Sequence, residues 1–241
     1  TNFIFQTIPQ APSQVLNKSA LIMEATLPLA DAFVKTTNEQ FKKAQVFLQE
    51  GMNFQGQFKD DKALESFNKA IALDPKYSAA HHLKSVCLSV MKRYEEAIGA
   101  IDEAIALRPD LDIFHLAKAI YMQESGRDQG AIDSFNKVLS LGFDIIDIHF
   151  EKAKCLLNLE RVNEALESLD KVLVKAPECL EALKKKASIL QDLGKHEEAV
   201  GVFDKVTTLM PKSTNTSGEY YQKGLSLQIL GRNAEAIQCF M

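Results

Sequence analysis

The chain is poor in the features by which a sequence usually declares chemistry. It has no Gly-rich phosphate loop, no G-x-S-x-G nucleophile elbow and no H-E-x-x-H pair, so the common phosphoryl-transfer, acyl-transfer and zinc-hydrolase sites have no motif to stand on. Its four cysteines, Cys87, Cys155, Cys179 and Cys239, never fall at C-x-x-C spacing. That argues against a metal knuckle or dithiol redox motif and leaves them as small apolar side chains of a reducing compartment. Neither sign of charge dominates: 28 Lys and Arg face 32 Asp and Glu, a net charge of −4. Such a balance offers no broad attraction to nucleic acid or anionic lipid. No stretch reaches the roughly 20 apolar residues that span a bilayer; the best candidate, 20–34, is broken by Glu24, Pro28 and Asp31. No signal peptide is visible at the N-terminus. These absences predict a cytoplasmic chain with no catalytic residues, no metal and no cofactor. It begins at Thr1 and stops at Met241 within a helical pattern, which predicts a piece of a longer protein.

What is there is repetition. Apolar residues make up 46% of the chain and charged residues 25%, the balance of a folded protein. Pro75 and Pro109 lie 34 residues apart. Ala63, Ala97, Ala131, Ala165 and Ala199 keep the same step, as do Phe67, Ile101, Phe135, Leu169 and Phe203. A period of this length marks a helix–turn–helix array in which no single unit can bury its own apolar face. With the proline at position 32, the units are 44–77, 78–111, 112–145, 146–179 and 180–213, followed by a partial unit at 217–241. Large and small residues alternate at helical spacing, as in Phe47, Gly51, Phe54, Ala63, Phe67 and Ala70, so paired helices can approach closely where Gly51 meets Ala63 and Ala70. Proline then stops the second helix.

These residues resemble the tetratricopeptide repeat family over about four-fifths of the chain. The family pattern is bulky at position 4, small at 8, bulky at 11, alanine at 20, aromatic at 24, alanine at 27 and proline at 32. Unit five gives Leu183, Ala187, Leu190, Ala199, Phe203, Val206 and Pro211, and the turn glycine appears as Gly126, Gly194 and Gly231. Departures are local: Phe143 replaces the third proline, and three residues are inserted within the Ser/Thr/Asn-rich run 212–218. The resemblance implies an all-α fold, a right-handed superhelical solenoid of antiparallel helix pairs whose leading helices line a concave groove. Residues 1–43 do not fit the repeat. They are expected to be extended around Ile8-Pro9-Gln10-Ala11-Pro12 and helical from about Ser19, with Thr36 and Glu39 at capping-box spacing.

Three ladders follow the period. His81, His115 and His149 recur at position 4; equivalent helices are separated by an intervening one, so the three cannot share an ion, and we assign them to packing. Lys84, Lys118, Lys152, Lys186 and Lys223 recur at position 7, with stems expected to pack at repeat boundaries and ammonium groups in water. Glu95, Glu96, Glu164, Glu197, Glu198 and Glu235 open the second helices, where negative charge complements the helix dipole.

By the resemblance, positions 2, 5, 9 and 12 face the groove. They predict Leu48, Met52, His82, Val86, Ile113, Leu116, Ile120, Phe150, Lys154 and Lys184 as partner-binding residues. The face changes from apolar to mixed charge along the chain, and an exposed apolar strip marks a binding surface. One subset of the family grips acidic chaperone tails with a carboxylate clamp of Lys, Asn and Arg. Here the corresponding positions hold Leu48, Met52, Leu83, Ile113 and Ala117, and later units place Glu151 and Lys185 at position 6, which disfavours that partner. The expected function is a scaffold for a protein or peptide. A substrate-recruiting or targeting module of a larger enzyme is the alternative, and self-association through exposed ends such as Ile237 and Phe240 is a further possibility.

Overall fold

The computed structural model describes residues 39–210 and 217–241. The expectations placed on residues 1–38, and most of the insertion run, lie outside these residues. Twelve helices and no strand are present among the described residues. In chain order they are α1 Glu39–Gly56, α2 Asp60–Leu73, α3 Ser78–Val90, α4 Tyr94–Leu107, α5 Asp112–Glu124, α6 Asp128–Ser140, α7 Ile146–Asn158, α8 Val162–Lys175, α9 Leu180–Asp192, α10 His196–Leu209, α11 Ser217–Ile229 and α12 Asn233–Phe240, and within each body consecutive helices pack on one another. Residues 39–43, placed outside the repeats by sequence, belong to the first leading helix.

The chain divides into two compact bodies, residues 1–125 and 126–241. In the N-terminal body α1 packs on α2, α2 on α3, α3 on α4 and α4 on α5, and the leading helices α1, α3 and α5 also touch in sequence order. Ala63, Phe67, Ala70, Ala97 and Ile101 are buried at the helix contacts, as their period requires. The C-terminal body repeats the arrangement around Ala165, Leu169, Ala199 and Phe203, all buried. The tight approach at Gly51 differs from the expected one. A Cβ there would stand 2.5 Å from Phe67 Cε1, so the glycine makes room for the position-24 ring. Gly224 makes the same room for Phe240.

The turns after α1, α3, α7, α9 and α11 share one geometry. At the first, the Lys59 N–H donates to Phe54 O (3.0 Å) and the Phe58 N–H to Gln55 O (2.9 Å), with Phe58 at φ +58°. This is a Schellman closure, which places one residue in the left-handed region where glycine is easiest. Lys92 and Glu160 take the same conformation at φ +59° and +58°. Position 15 is therefore a backbone requirement in every unit, whether or not glycine fills it.

The histidine and lysine ladders are connectors between repeats. His81 and His115, each protonated at Nε2, donate to Pro75 O (2.9 Å) and Pro109 O (3.0 Å). Where Phe143 replaces the proline, His149 turns instead to Asp144 Oδ1 at 2.6 Å. Lys175, then His149, hold the Asp144 carboxyl below the usual range. Four of the five lysine ammonium groups are held by a partner on the neighbouring helix. Lys118 reaches Asp102 (2.7 Å), Lys152 reaches Asn136 (2.7 Å), Lys223 reaches Asp204 (2.6 Å) and Lys186 reaches Asp170. Each partner occupies position 25 of the preceding second helix, so the ladder stitches one repeat to the next. Among the acids, Glu96, Glu164 and Glu235 are each held by both ends of an arginine fork, from Arg93, Arg161 and Arg232 at 2.7 Å. The N-caps themselves make no side-chain capping bond, so these acids act in the first turn through the dipole and the fork.

Candidate binding face

In the N-terminal body, positions 2, 5, 9 and 12 of α1, α3 and α5 hold Gln45, Leu48, Met52, Gln55; Ala79, His82, Val86, Ser89; and Ile113, Leu116, Ile120, Gln123. No carboxylate, ammonium or guanidinium stands among the twelve. His82 is 1% exposed, and burial pulls its imidazole pKa down to about 3, so at neutral pH it carries no charge. The face is electrically blank.

It is also more enclosed than an exposed strip. Leu48, His82, Val86, Leu116 and Ile120 are buried, and Met52 and Ile113 half-buried. Leu48 shares an apolar cluster with Phe41, Phe67, Tyr77 and Leu83. The face therefore continues the core of the helix pairs. The His82 ring leans on Phe114, centroids 5.0 Å apart and planes tilted by 41°. Next to it the Ser85 hydroxyl donates to His82 O (2.7 Å) and lies 3.3 Å from the Tyr121 hydroxyl. Burial pushes the Tyr121 phenol up to about 12, against the opposing effect of the Ser85 contact.

Among the described residues of this body, two side chains keep buried nitrogen atoms without a hydrogen-bond partner. Neither nitrogen of the His82 ring makes a hydrogen bond, and neither does Gln55 Nε2. A buried polar group without a partner costs about 1–3 kcal/mol. His196 Nδ1 is the corresponding atom in the other body. Sequence reasoning placed His82 on the face but gave no sign of its missing partner, and it passed over Gln55. That residue could have been found by carrying position 12 through every unit.

The C-terminal body presents different chemistry at the same positions. Phe150 is half-buried, while Lys154 pairs with Glu151 (2.9 Å) and Lys184 with Glu219 (2.6 Å). Gln191 Nε2 donates to Ser226 Oγ (2.7 Å) and Gln222 O (2.8 Å). Partial burial of the carboxyl, then Glu151 and Glu181, raise the Asp147 pKa, although the residue as a whole is exposed. Polar groups here already satisfy one another. Among the described residues no three side chains form a metal-binding cluster, and no helix is long and apolar enough to cross a membrane. Burial pushes the thiols of Cys87 and Cys155 up to about 11 and 12, which leaves little thiolate for chemistry.

Helices joined by one kind of turn, with buried small residues repeating at their contacts, define a helical-repeat protein. Tetratricopeptide repeat models match residues 55–120, 150–213 and 220–241. The chain belongs to the tetratricopeptide repeat family. An uncharacterized protein of Methanocaldococcus jannaschii is 42% identical over 60 residues, 25% of this chain and 70% of that one. Among solved structures, the chain is similar to YrrB, described as a tetratricopeptide repeat protein with an unusual peptide-binding site. The TM-score is 0.60 at 22% identity, over 73% of this chain and 89% of that one. It is similar as well to MamA, with a TM-score of 0.65 at 15% identity, over 70% of this chain and 92% of that one. At these identities the two structures speak for the fold.

Proposed function

We propose that the chain is a protein-interaction scaffold, without chemistry of its own, that takes a peptide segment on the face of its leading helices. The observation that carries this is the blank face of the N-terminal body: twelve consecutive facing positions without a charge, on a chain of which 25% is charged. A surface that only had to be solvated would carry Lys and Glu there, as the outer faces do. Charge depletion with apolar anchors is the composition of a buried interface. YrrB, which shares the fold and has a peptide-binding site, supports the same reading.

A displayed library of peptides selected against the full chain tests it. Peptides recovered by the native chain should be lost by Ile113→Glu, at a half-buried position of the face, with helical content unchanged by circular dichroism. Glu103→Lys, on the exposed outer side of α4, should retain them. Equal loss from both variants, or from neither, contradicts a site on this face.

A further inference from the structure

We infer that the α1–α3–α5 face of the N-terminal body is a binding site for an uncharged, extended, apolar peptide segment held through its backbone by Gln55 and His82, and that its occupant is residues 1–17 of this same chain. The inference rests on the groove reading above and names its ligand. Gln55 Nε2 is a donor lacking an acceptor, and a neutral imidazole offers one N–H and one lone pair, both unmet. An unmet amide donor and an unmet donor–acceptor pair on one largely apolar face suit the C=O and N–H groups of a peptide backbone, which carry no net charge. Charged ligands are disfavoured, because nothing on the face offsets the loss of their hydration.

The sequence holds a segment with that chemistry. Residues 1–17 contain no Asp, Glu, Lys, Arg or His, and Lys18 is the first charged side chain of the sequence. Phe3, Ile4, Phe5 and Ile8 supply apolar side chains, while Pro9 and Pro12 cannot donate to a helix or strand. The 31 residues from Ile8 to Glu39 reach about 100 Å when extended, so the tether does not limit access to any part of the body. Tethering also gives the segment an effective concentration in the millimolar range, which a free peptide must exceed.

The test uses the full chain and a labelled synthetic peptide with the sequence of residues 1–17, followed by fluorescence anisotropy. The native chain should bind the probe weakly, because its own segment holds the site. The double variant Phe3→Asp/Phe5→Asp should bind it at least about tenfold more tightly. Adding His82→Phe to that variant should abolish the gain while thermal unfolding shows that the fold persists. Equal probe affinity for the native chain and the double variant overturns the inference. A scrambled peptide of the same composition that binds the double variant equally well also overturns it, but leaves the groove reading intact. If neither peptide binds any form, while library peptides remain sensitive to Ile113→Glu, this occupant is wrong and the groove reading again survives. A native chain that is dimeric in light scattering, and monomeric as the double variant, places the segment on a second copy and overturns the intramolecular assignment.

Discussion

The two bodies of this chain are built from one repeat and carry opposite faces. In the N-terminal body positions 2, 5, 9 and 12 of the leading helices are uncharged and largely buried, and the described residues there include the unpartnered nitrogens of Gln55 and His82. In the C-terminal body the same positions hold Lys154, Lys184 and Gln191, each already bonded to a neighbour. The helix contacts hardly differ: alanine at position 20 is fully buried in both. The array thus separates two tasks. Positions 8, 20, 24 and 27 set how helices stack in both bodies, whereas the chemistry at positions 2, 5, 9 and 12 differs between them. Polar groups that satisfy one another have little left for a partner, whereas unmet groups in an apolar setting keep their hydrogen bonds for whatever arrives.

The largest expected effect comes from breaking the stack in one body alone. Ala131 is fully buried in the C-terminal body, and Ala131→Trp should cost about 3 kcal/mol through overpacking. Amide hydrogen exchange should show α6 to α8 losing protection while α1 to α3 keep theirs. Loss spread evenly over both bodies would mean that they do not open separately.

A second effect belongs to the N-terminal body. His82 has a folded pKa of about 3 against an ordinary value of 6.5. Because the folded value is depressed, protons favour the unfolded chain as pH falls below 6.5. The stability held by the neutral ring is lost progressively between pH 6.5 and 3. Going from pH 7 to pH 5 should cost about 2 kcal/mol from this group. His82→Leu should remove that share of the acid sensitivity of α3 in denaturant unfolding followed by hydrogen exchange. An unchanged slope between pH 7 and 5 would show that the ring is solvated.

Phe58 gives a smaller effect of opposite sign. It is 91% exposed and sits at φ +58°, where a side chain with Cβ costs about 1 kcal/mol relative to glycine. Phe58→Gly should therefore raise stability by about that amount, whereas Gly194→Phe at the matching turn should lower it. If Phe58→Gly destabilises, the ring has a contact that its exposure does not reveal.

Much of the fold was legible because the repeat reports itself: an alanine every 34 residues is a statement about how close two helices must come. The turn glycines were legible at Gly126, Gly194 and Gly231, but their backbone requirement also holds at Phe58, Lys92 and Glu160, where composition hides it. The lysine ladder is visible in the sequence, and Asp102, Asn136 and Asp170 keep the same period, but only the folded chain brings the two sets together. Resemblance placed the face at Leu48, His82 and Leu116, yet their burial depends on how neighbouring helices close over them, which spacing alone does not state. The missing hydrogen bonds of Gln55 and His82 are a fact of three-dimensional surroundings. No linear pattern carries it.

The central claim is that peptide docks on the blank face of the N-terminal body. The most direct measurement is amide hydrogen exchange on the Phe3→Asp/Phe5→Asp chain, with and without the peptide of residues 1–17. The account predicts slower exchange in α1, α3 and α5 and no change in α7 or α9. Protection that appears instead on α7 and α9, or on the second helices α2 and α4, would contradict it.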